Sequence, residues 1–145
     1  RNNNNNHNNN YNNNSNKKFK ENNKEMGLAV LEQAIWVLGN IAGDGIKSRD
    51  ICLKKGVLKK LILLDKEIKK HKNIPLSFVR NFIWTISNLV RGKPQPNWQL
   101  LRDIMPVILS YLSHFDIEVL TDTCWALSYL SDGQNDHIQM ILDCN

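Results

Sequence analysis

The chain has 145 residues, of which 41% are hydrophobic and 23% are charged, and its formal net charge is +5. That length suits one domain. Four basic residues and one acidic residue lie in the first 23 positions, so the rest of the chain carries too little excess charge to predict nucleic-acid binding from totals. No apolar run approaches the roughly 20 residues of a membrane span, and no signal-peptide pattern opens the chain.

Residues 1–25 form an Asn-rich, low-complexity segment. Asn occupies 14 of the first 23 positions, and only Tyr11 and Phe19 offer large apolar side chains there. Such a segment cannot offset its own ordering entropy, so we predict a disordered insertion at 1–25 followed by a folded region at 26–145. The alternative is a prion-like aggregation role.

The remaining sequence predicts helices in a regular order. Apolar residues at spacings of three and four, interrupted by Gly and Pro, give predicted helices at 26–42, 48–53, 57–68, 76–90, 97–103, 106–112, 116–132 and 134–142. Ser48, Asn97 and Asp116 are predicted N-caps, and Pro106 suits a first helical turn. The order of short, medium and long helices predicts an all-α repeat fold built from three-helix units.

Three long helices share one pattern centred on a Trp. A polar residue lies three positions before each Trp, and Asn or Tyr lies four positions after it. These positions fall on one helix face, and their recurrence at about 40 to 48 residues predicts a solenoid. The three sets are Gln33, Trp36 and Asn40; Asn81, Trp84 and Asn88; and Asp122, Trp125 and Tyr129.

A buried core is the simpler explanation for any one of these Trp residues. Three in register favour a functional stripe, because a core position would also bury Asn40 and Asn88 and require partners for their amides. Trp98 lies outside the register and is predicted to pack. The cysteines Cys52, Cys124 and Cys144 have no CxxC spacing and are typical of reduced, buried thiols in an intracellular protein.

Three segments resemble importin alpha (karyopherin alpha). They are EQAIWVLGNIAGDG at 32–45, WTISNLVRGKPQP at 84–96 and VLTDTCWALSYLSDG at 119–133. The resemblance covers nearly everything after Met26. It implies an armadillo-repeat, right-handed superhelical solenoid that acts as a nuclear import adaptor. The Asn-rich head departs from the pattern of that family. The N-terminal arm and the other repeats of the family are not in these 145 residues.

The resemblance also implies a concave groove that holds an extended basic peptide, with Trp rings forming slots for the stems of Lys and Arg. It implies that Asn40 and Asn88 clamp the peptide main chain, since an amide both donates and accepts. It makes Asp44 the acidic partner of a lysine. Asp44 ends a helix, where a carboxylate opposes the macrodipole, which suggests a role in binding. The implied peptide-binding residues are Gln33, Trp36, Asn40, Asp44, Asn81, Trp84, Asn88, Asp122, Trp125 and Tyr129.

The partners implied by the resemblance are basic nuclear localisation signals of cargo proteins, and importin beta through the missing N-terminal arm. The implied location is the cytoplasm and nucleus, between which the protein shuttles. We expect no enzyme activity, cofactor or metal, because the sequence has no nucleophile with a base, no phosphate loop and no metal-ligand spacing. We also expect no direct nucleic-acid or membrane partner.

Two alternatives stay open. Another armadillo scaffold would use the same fold for an acidic or helical partner, but it has no need of a main-chain clamp at both Asn40 and Asn88. The segment from Lys54 to Lys72 holds eight basic residues, and a basic helix of this kind can bind acidic membranes or nucleic acid. We interpret it instead as a solvated convex face of a repeat.

Overall fold

The computed structural model describes the backbone of residues 5–71 and 73–144, and their side chains except those of residues 5–21 and 24. It contains helices α1 (Asn5–Asp44), α2 (Ile46–Lys54), α3 (Val57–Ile68), α4 (Leu76–Val90), α5 (Trp98–Leu101), α6 (Met105–Ser110), α7 (Ile117–Ser131) and α8 (Asn135–Asp143), with a 3₁₀ turn at Arg102–Ile104. The described ranges contain no strand. The chain divides into two compact units, Arg1–Ala34 and Ile35–Asn145.

This order confirms the predicted all-α armadillo architecture, including most of its helix boundaries. Two predicted caps are present: the Asn97 side chain accepts a hydrogen bond from the Gln99 N–H, and the Asp116 side chain accepts one from the Val119 N–H. Pro106 lies in the first turn of α6. The predicted cap at Ser48 is wrong, because α2 begins two residues earlier, at Ile46.

Over residues 5–25 the backbone continues helix α1, whereas the sequence predicts a disordered insertion at 1–25, which stays a prediction. Once a helix is nucleated, each added residue is ordered in exchange for a new hydrogen bond within the segment. A helix can therefore extend through Asn-rich sequence without burying apolar side chains. Residues 1–4 lie outside the described residues, and a domain boundary after residue 25 stays a prediction.

One described helical stretch, Glu25–Asp44, is long and apolar enough by composition to cross a membrane, with a mean hydropathy of 1.3. This stretch contains no long run of consecutive apolar residues, but its mean hydropathy stays high despite the amides of Gln33 and Asn40. One such helix is weak evidence for a membrane span, because a helix that packs in a protein interior passes the same test.

Helix α4 is the centre of the core in the unit that starts at Ile35. Phe82, Ile86 and Leu89 are fully buried, and α4 packs along α7 and against α2 and α3. The Phe82 ring lies 6.0 Å from the ring of Tyr111. Every position of α4 from Thr85 to Val90 is buried, which makes it the helix that neighbouring elements enclose.

A glycine lets α4 approach α1 closely. A Cβ built on Gly39 would collide with the Trp84 ring and would lie 2.6 Å from the Thr85 hydroxyl oxygen. That hydroxyl donates to the carbonyl oxygen of Ile35 at 3.0 Å. The contact therefore brings the backbone of α1 within hydrogen-bonding reach of an α4 side chain, and any larger residue at position 39 would separate them.

We predict that Gly39→Ala destabilises the fold by about 1–3 kcal/mol, because the added methyl group overpacks a closed contact. Gly27→Ala is the matched control, since a Cβ there meets no described atom within 4 Å. That control should stabilise by about 0.4–1 kcal/mol through lower chain entropy. Denaturant unfolding measures both. Equal effects of the two substitutions would contradict the contact.

Arg49 forms hydrogen bonds to the loop that follows α4. The residue is 1% exposed, and its side chain donates to the carbonyl oxygens of Arg91 at 2.6 Å, Gly92 at 3.3 Å and Pro94 at 3.0 Å. It also donates to the Asp50 carboxylate at 2.8 and 3.0 Å. A cation at carbonyl groups beyond a helix C-terminus complements both their lone pairs and the helix dipole.

We predict that Arg49→Met destabilises the chain by about 1–3 kcal/mol, because carbonyl groups in a part-buried site lose their donors. Lys47→Met is the control, since Lys47 is exposed on the same helix and should shift stability by less than about 0.5 kcal/mol. Thermal and urea unfolding would show the difference. If the two variants lose the same stability, the loop does not depend on Arg49.

Candidate functional site

The three Trp residues of the shared register lie on α1, α4 and α7, and none of them is buried. Trp36 is 48% exposed and Trp125 is 53% exposed, whereas Trp84 is half-buried. An indole ring that stays half open to water keeps its face available to an aliphatic or cationic side chain. The structure thus leaves ring surface accessible at all three positions.

The surroundings of the rings differ between helices. Trp84 lies over Gly39 of α1, which explains its lower exposure. Trp125 stacks on Tyr129 of its own helix, with 5.8 Å between ring centroids and 20° between ring planes. Tyr129, where the other two copies have Asn, therefore extends the aromatic surface of Trp125, and it is half-buried.

The two amides predicted to act alike are in different environments. Asn40 is exposed, but Asn88 is only 6% exposed and its Nδ2 donates to the carbonyl oxygen of Gly39 at 3.4 Å. A Cβ on Gly43 would lie 3.3 Å from that same Nδ2, so the missing side chain there makes room for the amide. The fold thus engages one of the two amides within the protein itself.

Asp44 is exposed and accepts a hydrogen bond from the Ser48 hydroxyl at 3.1 Å. The expectation that this carboxylate opposes a helix macrodipole is wrong for its position in the structure. Asp44 ends α1, but α2 begins two residues later at Ile46, and a carboxylate beside a helix N-terminus is stabilised. Its location therefore does not by itself indicate a role in binding.

The polar residues that precede each Trp also differ. Gln33 is exposed on α1 within the first unit, and Asn81 and Asp122 are half-buried. Burial raises the pKa of Asp122, and the nearby Glu118 carboxylate raises it further. Glu118 also pairs with Arg80 at 2.7 Å. The first turns of α7 therefore concentrate negative charge next to Trp125.

The pKa of Asp116 is lowered below its ordinary value, because the hydrogen bond from Arg80 lowers it more than burial raises it. Arg80 Nη2 lies 2.7 Å from Asp116 Oδ2. A carboxyl group with a lowered native pKa stabilises the fold above its unfolded pKa, and that contribution is lost as the pH falls through the native value. A group with a raised native pKa, such as Asp122, has the opposite dependence.

These shifts predict opposite pH dependences for two Asp→Asn substitutions. Asp116→Asn should destabilise the protein at pH 7, with the difference vanishing in acid, because Asn still caps the helix but cannot pair with Arg80. Asp122→Asn should stabilise it at pH 7 by less than about 1 kcal/mol, since water still reaches the group. Urea unfolding from pH 3 to pH 7 measures both. Curves of the same sign would contradict the assignments.

Sequence reasoning missed the loop between α4 and α5 as part of the site. Gln95 Nε2 donates to the carbonyl oxygens of Tyr129 at 3.0 Å and Asp132 at 2.6 Å, and Lys93 Nζ lies 2.8 Å from Asp132 Oδ2. A cavity of about 240 Å³ lies between this loop and the end of α7. Nothing in the sequence except the Pro-rich composition of the loop pointed to these contacts.

A second recess, of about 490 Å³, runs along α7 beside Trp125 and is largely apolar. Cys124 lines it. The prediction of three buried thiols is correct for Cys52, whose pKa burial raises. It is wrong for Cys124, which is exposed, and for Cys144, which is half-buried. Sequence periodicity could not separate a core face of α7 from this open face.

Trp98 packs as predicted. Its Nε1 donates to the Met140 sulfur at 3.0 Å, and its ring stacks on His137 with 4.0 Å between centroids. This contact joins α5 to α8 away from the repeated Trp positions. Among the described residues, no group of His, Cys, Asp and Glu side chains could hold a metal ion.

The repeated long helices and the short and medium helices between them give the chain an armadillo-repeat, all-α fold. The Armadillo/beta-catenin-like repeat family matches residues 94–132, which cover the segment from the loop before α5 to the end of α7.

The chain is similar in sequence to several importin alpha subunits. It is 47% identical over 114 residues to importin subunit alpha-1b of Oryza sativa subsp. japonica and 48% identical over 114 residues to importin subunit alpha-2 of Arabidopsis thaliana. It is 46% identical over the same length to importin subunit alpha-6 of Arabidopsis thaliana. Each match covers 79% of this chain and 20% of the relative. The chain thus spans about a fifth of the length of these curated relatives.

Proposed function

We propose that this chain is part of a nuclear import adaptor and binds basic nuclear localisation signals along its repeated Trp helices. The observation that carries the proposal is the half-exposed indole at Trp36 and again at Trp125, in a chain similar in sequence to importin alpha subunits. Indole faces bind the apolar stems of Lys and Arg, and they attract the cationic ends by about 0.5–2 kcal/mol.

The amides would contribute unequally to this binding. Asn40 is open to solvent and is free to donate to a peptide carbonyl and accept from a peptide N–H. Asn88 already donates to Gly39, so a bound peptide would compete with that long hydrogen bond. We therefore propose Asn40 as the principal main-chain clamp, and Asn88 as a weaker one.

The acidic residues would supply the preference for basic side chains. Asp44 is exposed on the same helix as Trp36 and Asn40, and Asp122 lies one turn before Trp125. A charge-assisted hydrogen bond to an incoming ammonium group is worth about 1.5–3 kcal/mol. Gln33 and Asn81 would provide additional neutral contacts in the same stripe.

The same proposal includes importin beta as a partner, through an N-terminal arm outside these 145 residues, and shuttling between cytoplasm and nucleus. It assigns the chain a binding role and no enzyme activity. These parts are supported by similarity to importin subunit alpha.

We predict that a Lys-Lys-Lys-Arg-Lys peptide binds this chain and that Asp44→Lys weakens it roughly tenfold to over a hundredfold, because a carboxylate partner becomes a like charge. Asn40→Ala and Asn88→Ala should each reduce the binding free energy by at most about 1–3 kcal/mol, and the loss should be larger for Asn40→Ala. Lys59→Ala, on the exposed face of α3, is the control. Fluorescence titration at low and high salt measures all four variants.

Salt separates the two kinds of contact, since ions screen the Asp44 contribution and leave the amide contributions nearly unchanged. Circular dichroism checks each variant, because Asn88→Ala also removes a contact inside the fold. If Lys59→Ala weakens binding as much as Asp44→Lys does, the peptide is not held by the acidic residue beside the Trp helices and the proposal fails.

The alternative is a different armadillo scaffold that binds an acidic or helical partner. The titration also tests this alternative. Such a scaffold would not bind the basic peptide, and Asn40→Ala would not change its affinity for an uncharged peptide.

A further inference from the structure

The positive charge of the chain is concentrated in α2, α3 and the residues just after α3. Ten basic and three acidic residues lie between Ile46 and Lys72, so this segment carries +7, more than the +5 of the whole chain. The described lysines of this segment are all exposed. A field of one sign at this density favours a partner of opposite charge.

Every acidic residue of the segment is already engaged. Asp50 pairs with Arg49 at 2.8 Å, Asp65 with Lys69 at 2.8 Å, and Glu67 with Lys70 at 2.6 Å. Asp65 also accepts a hydrogen bond from the Tyr111 hydroxyl at 2.9 Å. Among the described residues, no carboxylate pairs with the remaining lysines: Lys47, Lys54, Lys55, Lys59, Lys60 and Lys66.

The outward face of α3 also exposes an aliphatic side chain between these lysines. Lys59, Leu63 and Lys66 follow the i, i+4, i+7 spacing of one helix face, and Leu63 is 56% exposed. The opposite face, with Leu58 and Leu61, is buried. Helix α2 repeats the pattern with Lys47, Ile51 and Lys54, and Ile51 is 58% exposed.

We propose that this outward face of α3, defined by Lys59, Leu63 and Lys66, docks an acidic protein segment that places an aliphatic side chain between carboxylates. Charge complementarity supplies the attraction, and Leu63 supplies an apolar contact of the kind used in helix recognition. The proposal is independent of basic-peptide binding, because a basic ligand would be repelled here.

The single leucine distinguishes this partner from two others. Nucleic-acid phosphates are bound by cationic side chains and hydrogen-bond donors, which would leave the aliphatic Leu63 without a role. A helix lying on a membrane needs a continuous apolar face toward the lipid, whereas the continuous apolar face of α3 is the one buried inside the protein.

The test uses the 145-residue chain and a fluorescein-labelled helical peptide made of Glu with Leu at every third or fourth position. Lys66→Glu should weaken its binding by about fivefold or more, and Leu63→Ser by about twofold to fivefold. Arg91→Glu makes the same charge change at an exposed site beyond α4, and should alter affinity by less than about twofold. Asp44→Lys should not weaken it.

Three further probes decide between partners: the same peptide with each Leu replaced by Ser, poly(U) RNA, and phosphatidylserine vesicles. Weaker binding of all three than of the Glu/Leu peptide supports the proposal. Equal binding of the Ser peptide, or tighter binding of RNA or vesicles, overturns it. Absence of Glu/Leu peptide binding at low salt, with a folded chain by circular dichroism, also overturns it.

Discussion

The close contact between α1 and α4 is the constraint on which the proposed groove depends. Gly39 has no side chain, so the Trp84 ring and the Thr85 hydroxyl approach the backbone of α1, and Thr85 bonds to the carbonyl of Ile35. One turn on, Asn88 occupies the space beside Gly43 and bonds to Gly39. Two glycines thus set the separation of two long helices and decide how far an indole and an amide are exposed.

The loop after α4 links consecutive repeats by hydrogen bonds to main-chain carbonyls. Arg49, from α2, holds the start of the loop, and Gln95, at its other end, holds the end of α7. Because Arg49 follows Asp44 by five residues and Gln95 binds the carbonyl of Tyr129, the loop ties together the ends of helices that carry candidate site residues. Such contacts fix helix positions without adding apolar area.

Charge is distributed unevenly over the molecule. Glu118 and Asp122 concentrate negative charge at the start of α7, where burial and mutual repulsion keep the pKa of Asp122 above its ordinary value. Within the described part of the chain, lysines without a carboxylate partner occupy α2 and α3 instead. A basic ligand and an acidic one would therefore be attracted to different helices, which lets one small repeat unit offer two surfaces of opposite sign.

The sequence by itself determined the all-α class, the order of the helices, the caps at Asn97 and Asp116 and the Trp register, because these follow from periodicity and local hydrogen bonding. Tertiary structure decided which side chains at the repeated positions are exposed to solvent. Asn40 and Asn88 have the same place in the pattern, yet one is exposed and the other is buried, because exposure depends on the neighbouring helix. Arg49 and Gln95 bond to carbonyls 34 to 45 residues away, and no local pattern encodes contacts of that range.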